Sequence, residues 1–287
     1  MRAFLLALTL LLVPMALAQG EVVAQVGPEA ITREAFELRY GLFVRSALAQ
    51  LGLPDTEEAR ALLAAYRPAF LEALAREKAL LQRAREEGLY PDPAAVEARV
   101  HALKEAFPEA ELYADANESL PPKEAERYLL AWKELGLRYV EEPLPVEEVE
   151  ARRALREKGI LSLIADDAAM TPKDLKRELA LNTFDVLNLK PARTGVTWTL
   201  EMLALARERG KKAMVGSQAQ SAFGAYQSAL LAFQQGVTEP CELAFHLKAE
   251  GGFFPFPPFR EGWLYWEDLV EARFDEEAFA RYALKEA

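Results

Sequence analysis

From residue 111 to residue 244 one pattern repeats, a short apolar run followed by an amphipathic helix, with a period of roughly 25 residues. The runs are Glu111–Ala114, Arg138–Val140, Leu161–Ala165, Asp185–Leu189, Ala213–Gly216 and Glu239–Ala244. The intervening helices begin at Pro122, Pro145, Pro172, Thr197 and Phe223. Proline early in a helix forfeits no hydrogen bond, because the first N–H groups have no intrahelical partner. Gly136, Gly159, Gly210 and Gly236 fall where four helices end, the place where glycine relieves a left-handed cap. Strands alternating with helices predict βαβ units and a parallel sheet. About six such units in succession predict a (β/α) barrel more than an open sheet.

In such a barrel, chemistry gathers at the C-terminal ends of the strands. The first run ends in Asp115-Ala116-Asn117, the second in Glu141-Glu142-Pro143, the third in Asp166-Asp167, the fourth in Lys190-Pro191 and the fifth in Gly216-Ser217-Gln218. Three carboxylates therefore reach one rim at spacings of 26 and 25 residues, and a lysine follows 24 residues later. Converging carboxylates repel one another, and a hard divalent cation with oxygen ligands, Mg²⁺ or Mn²⁺, resolves that repulsion. A lysine beside such an ion is a candidate general base, its pKa lowered by the positive charge. The chemistry that suits this set is proton abstraction next to a substrate carboxylate. Singly, each acid also suits a helix cap and Lys190 a solvated loop; the even order of the four is what favours a site.

Composition narrows the alternatives. The chain has 287 residues, a formal net charge of −11, one cysteine and two histidines. A surplus of acids disfavours non-specific nucleic-acid binding, which depends on neutralising phosphates. Cys241 alone excludes an internal disulfide framework, and His101 and His246 leave little for His-based metal or triad chemistry. Cys241 reads as a small buried residue and His246 as structural. The aromatic stretch Phe253–Phe259, with Trp263, Tyr265 and Trp266, reads as a tail packed on the barrel. Arg193 is a weaker candidate for facing a substrate carboxylate.

The motifs at these strand ends carry a resemblance. They are Leu112–Asn117 (LYADAN), Tyr139–Leu144 (YVEEPL), Leu163–Asp167 (LIADD), Asn188–Gly195 (NLKPARTG) and Met214–Ser217 (MVGS). Residues from about 94 to 287 resemble the barrel of the enolase superfamily, in its mandelate-racemase and muconate-lactonizing branch. The resemblance implies a TIM-type barrel, metal ligands at Asp115, Glu141 and Asp166, and an acid/base at Lys190. It implies a Mg²⁺-dependent isomerase or lyase, a racemase, epimerase, cycloisomerase or o-succinylbenzoate synthase, acting on a small carboxylate substrate. The chain departs from the pattern at Asp167 and Gln220, where the superfamily commonly has Glu. It also has no lysine in Glu86–Tyr90, where the Lys-x-Lys motif belongs, and Lys104 falls inside the next helix. The capping domain and two preceding barrel strands are not seen either, so the barrel is expected to be incomplete and its activity impaired.

The N-terminal part differs. Met1–Ala18 has a positive start, an apolar stretch and small residues before a cleavage point, the layout of a secretory signal peptide. It predicts an exported, periplasmic mature chain with no membrane span; the barrel resemblance by itself implies a cytoplasmic protein. Residues 19–93 read as a short strand, a Gly27-Pro28 turn, a helix capped by Thr32 and two further helices. Val22–Gly27, Ala30–Phe36 and Leu71–Gln82 resemble the N-terminal segment of SurA-like chaperones and parvulin-type prolyl isomerases, without the isomerase domain. That resemblance implies binding of unfolded polypeptides. Two further expectations follow: a peptide-binding exported protein, or a non-functional fusion joined near residue 93. A homo-oligomer is compatible with either.

Overall fold

The computed structural model describes residues 20–88, 93–248 and 252–282. The expected signal peptide, residues 1–18, lies outside the described residues, as do residues 89–92 of the break expected over Leu89–Pro93. Strands β1 (Val22–Val26) and β2 (Glu29–Thr32) form an antiparallel hairpin turned at Gly27, whose φ of +54° suits glycine. Thr32 then caps α1 (Arg33–Gln50): its Oγ1 accepts from Ala35 N at 3.2 Å. Phe36, Tyr40, Val44 and Leu48 recur every four residues, so α1 buries one face. That face meets α2 (Glu57–Leu63) and α3 (Arg67–Glu86), with Ile31, Ala59, Leu63 and Leu74 completing a small core. The Tyr40 hydroxyl donates to Leu63 O at 2.8 Å, which satisfies its polar end inside that core.

Helix α4 (Pro93–Ala106) leads into the repeating part. Five parallel strands follow: β3 (Tyr113–Asp115), β4 (Tyr139–Glu141), β5 (Ser162–Ala165), β6 (Val186–Leu189) and β7 (Lys212–Val215), hydrogen-bonded in sequence order. Between and after them run α5 (Ala125–Glu134), α6 (Val149–Glu157), α7 (Pro172–Leu181), α8 (Pro191–Glu208) and α9 (Ala222–Ala232). Val140 and Leu163 pack outward on α5 and α6, and Leu187, Leu189, Ala213 and Val215 on α7, α8 and α9. The alternate residues Tyr139, Ile164, Val186 and Met214 line the inner face, as the two-residue period of a strand requires. The result is a mixed α/β fold with a parallel sheet, a partial TIM-type barrel.

The sixth expected run, Glu239–Ala244, is not a strand. Pro240 has no N–H to give a ladder, and Cys241 turns its thiol to the sheet: Val215 N donates to Cys241 Sγ at 3.3 Å. Thr238 N and Glu239 N both go to Ala213 O, and Glu242 N to Val215 O, so the segment lies along β7 without continuing the sheet. Among the described residues there are therefore five barrel strands where six units were expected. After it, α10 (Trp266–Glu271) and α11 (Glu276–Tyr282) close the chain, with Phe254 against Tyr226 at 4.6 Å and His246 over Phe256 at 3.9 Å. No helix among the described residues is long and apolar enough to cross a membrane.

The helical segment α1–α3 sits on the C-terminal rim of the sheet. Arg39 of α1 pairs with Glu118 after β3 and with Glu147 after β4, the latter at 2.7 Å. Lys78 of α3 stands 3.5 Å from Glu147, and Arg45 pairs with Asp174 in the first turn of α7. Leu42 is buried with Val146 and Ala168 between these pairs.

Candidate functional site

The strand pleat decides which residues face the rim. Glu141 is two residues beyond Tyr139, Asp166 two beyond Ile164, and Lys190 four beyond Val186, so each inherits the inner face. Asp166 carries the hub. Its Oδ2 accepts from Lys190 Nζ and its Oδ1 from Arg193 Nη2. Lys190 Nζ also lies 3.6 Å from Glu141 Oε1, and Arg193 Nη1 donates to Asp167 Oδ1 at 2.7 Å. Glu141 is 2% exposed and takes a second contact from Asn188 Nδ2 at 2.7 Å. Asp115 stands apart from this knot: its two oxygens accept from the backbone N–H and side-chain amide of Asn117, at 2.9 and 3.0 Å.

Burial dominates the electrostatics. It pushes the Glu141 carboxyl up to about 8, with Asp166 adding to the rise and Lys190 opposing it. Burial also raises Asp115 and Asp167, against the Asn117 N–H in the first case and Arg193 in the second. The expectation that Lys190 has a lowered pKa is not met. Burial does pull it down, but Asp166 and Glu141 outweigh that and hold the ammonium above its ordinary value. The expectation assumed a neighbouring cation; the neighbours here are carboxylates.

Three residues of the site escaped the sequence reading. Asn188 precedes Lys190 by two residues, so strand period alone puts it on the same face. Glu142 points the other way and ties the rim together: buried, it accepts from Asp166 N at 2.9 Å, Ala168 N at 3.0 Å and Arg152 Nη2 at 3.1 Å. Glu118 fixes the helical segment to the rim, and no local signal distinguishes it from a solvated acid. The other sequence candidates lie elsewhere. Lys104 reaches Gly136 beside α5, Gln220 approaches Ser228 at 3.5 Å, and His246 Nδ1 sits 3.1 Å from Leu243 O. Burial raises the Cys241 thiol and lowers His246, which favours the neutral form of each.

Among the described residues, no three acids stand close enough to hold a metal ion as they are arranged. Lys190 and Arg193 occupy the oxygens of Asp166 instead. The donor chemistry nevertheless suits a hard divalent cation. Three carboxylates (Glu141, Asp166 and Asp167) meet two cationic side chains, Asp115 ends the adjoining strand β3, and Glu141 is buried with its ammonium neighbour beyond hydrogen-bond reach.

A family profile described as enolase C-terminal domain-like matches residues 56–265, most of the chain. The chain belongs to the enolase C-terminal domain-like family. The match begins inside residues 19–93, so part of the segment expected to be SurA-like falls within it. Among curated relatives, an L-Ala-D/L-Glu epimerase of Thermotoga maritima is 29% identical over 140 residues, 48% of this chain and 41% of that protein. An o-succinylbenzoate synthase of Bacillus subtilis is 26% identical over 146 residues, 50% of this chain and 39% of that protein. A mandelate racemase/muconate lactonizing protein from Herpetosiphon aurantiacus has a similar solved structure, with a TM-score of 0.55 and 26% identity. That likeness covers 60% of this chain and 50% of the other. The chain thus spans about two fifths of the length of these two curated relatives.

Proposed function

We propose that the rim of Asp115, Glu141, Asp166 and Lys190 transfers a proton at the carbon next to a carboxylate in a small substrate. The observation that carries this is the Lys190 ammonium lodged between Asp166 and Glu141 at the C-terminal ends of β4–β6, in a chain of this family. Asp115, Glu141 and Asp166 are the residues that would hold Mg²⁺ or Mn²⁺, with Lys190 released from Asp166. A divalent cation so held stabilises negative charge developing on the substrate carboxylate.

Lys190 is the proton carrier. Freed from Asp166, its burial favours the neutral amine, which accepts a proton readily. Among the described residues no other lysine pairs with the rim carboxylates. Proton removal and return therefore use one face of the substrate, which favours exchange with retention, or elimination, over inversion. Arg193, 95% buried at its side chain, is placed to orient a substrate carboxylate once it leaves Asp166. The relatives' names support two substrate classes, dipeptides ending in glutamate and precursors of o-succinylbenzoate.

Thermal melting tests the cation. Millimolar Mg²⁺ is expected to raise the melting temperature of the full chain, and Asp166→Ala to abolish the rise. A wild-type chain indifferent to Mg²⁺ and Mn²⁺ would remove this reading. The helical segment supports a second role, peptide binding, through its exposed Leu51, Leu62, Tyr66 and Leu80. Suppressed aggregation of an unfolded client by the full chain, lost in Leu62→Ser/Leu80→Ser, is its expected signature.

A further inference from the structure

Asn188 is 1% exposed, and it is a polar side chain that proton transfer as described leaves without a task. It sits on β6 two residues before Lys190, so the pleat turns it inward beneath the rim. Its Nδ2 donates to Glu141 Oε1 at 2.7 Å, while its Oδ1 is buried with no hydrogen-bond partner. A buried acceptor without a partner is a cost that a core normally avoids, so something else must keep an amide here. The wall behind it is glycine: a Cβ on Gly216 would stand 2.7 Å from Asn188 Nδ2 and nearer still to Oδ1. The chain just past the neighbouring strand β7 thus lacks a side chain at the spot the carboxamide fills. Both contacts of the Glu141 carboxylate, Asn188 Nδ2 and Lys190 Nζ, fall on the same oxygen, Oε1.

We propose that Asn188 is a positioning residue for Glu141. Its amide fixes the rotation of the carboxylate through Oε1 and leaves Oε2 for the divalent cation; the inference rests on the cation assigned to this rim above. Partners of ligating carboxylates are worth about 10–100-fold in metal affinity. Gly216 belongs to the same device, because it leaves the amide room.

Calorimetric titration of the full chain with Mg²⁺ and with Mn²⁺ tests this. Asn188→Leu keeps the volume and removes the donor. Gly216→Ala keeps Asn188 but displaces its carboxamide, and it serves if Asn188→Leu does not fold. Each single change is expected to weaken both ions by about 10–100-fold. The double variant is expected to be no weaker than the poorer single one, since both act through one amide. Melting without ions reads the fold separately. Lowered melting temperatures with unchanged ion affinity, or losses that add in the double variant, overturn the proposal. A wild-type chain that binds neither ion overturns the cation reading and this inference together; a wild-type chain that binds while Asn188→Leu binds equally well overturns this inference alone.

Discussion

Glu142 holds a backbone conformation that few side chains adopt, φ +35°, immediately after the rim residue Glu141. The strain is offset by three hydrogen bonds into its buried carboxylate, from Asp166 N, Ala168 N and Arg152. Glu142→Ala should therefore cost more than a typical core change, about 3 kcal/mol, because two backbone N–H groups and half of the Arg152 pairing lose their acceptor. Urea unfolding of the purified chain measures it. Glu118 gives a pH prediction. Burial first, with Glu142 and Glu147 adding and Arg39 opposing, pushes it up to about 7. The folded state then binds the proton more tightly than the unfolded one. Stability from this group is present below its ordinary carboxylate range and is lost as pH rises toward 7, by on the order of 3 kcal/mol. Melting temperatures at pH 5 and pH 7.5 should show a fall in the wild type that is smaller in Glu118→Gln. At this scale, residue identity was legible and partnership was not. The acids and Lys190 stand out at strand ends, but the Lys190–Asp166 pair depends on three-dimensional distance and reverses the expected direction of the lysine's shift.

The helices and strands from β3 to β7 were legible because Pro and Gly punctuate them and apolar runs mark the buried strands. Val186–Leu189, buried throughout, is a plain instance. Glu239–Ala244 misled through its spacing: it falls one period after β7, while Pro240 and the Cys241 thiol prevent the ladder. The helix expected from Thr197 follows a short helical turn begun at Pro191, and α8 breaks between the two at Gly195, φ +66° and ψ 173°. An added Cβ there meets nothing, so the cost of Gly195→Ala is conformational. The expected loss is about 1–2 kcal/mol, read by thermal or urea unfolding, because a side chain disfavours that φ. An unchanged stability would show that the break relaxes without penalty.

In the whole molecule, the α1–α3 segment meets the partial barrel through the ion pairs of Arg39, Arg45 and Lys78 and through Leu42. Arg39 carries two of the ion pairs, its side chain 17% exposed and those of Glu118 and Glu147 13% and 7%. Arg39→Met leaves two buried carboxylates short of a partner and should destabilise the joint by about 3–5 kcal/mol. Limited proteolysis should then cut the segment between α1 and α2 faster than in the wild type; equal rates would mean that Leu42, Lys78 and Arg45 hold the joint without Arg39. None of this docking is visible in the sequence, since Arg39 and Glu118 are 79 residues apart. Everything proposed for this rim turns on proton transfer by Lys190. Proton NMR of L-Ala-L-Glu in D₂O, with the full chain and Mg²⁺, tests it most directly. Loss of the glutamyl Cα–H signal with retained L configuration is expected, and no loss with Lys190→Met; an unchanged signal with the wild type, or equal exchange in Lys190→Met, would rule out this role for Lys190.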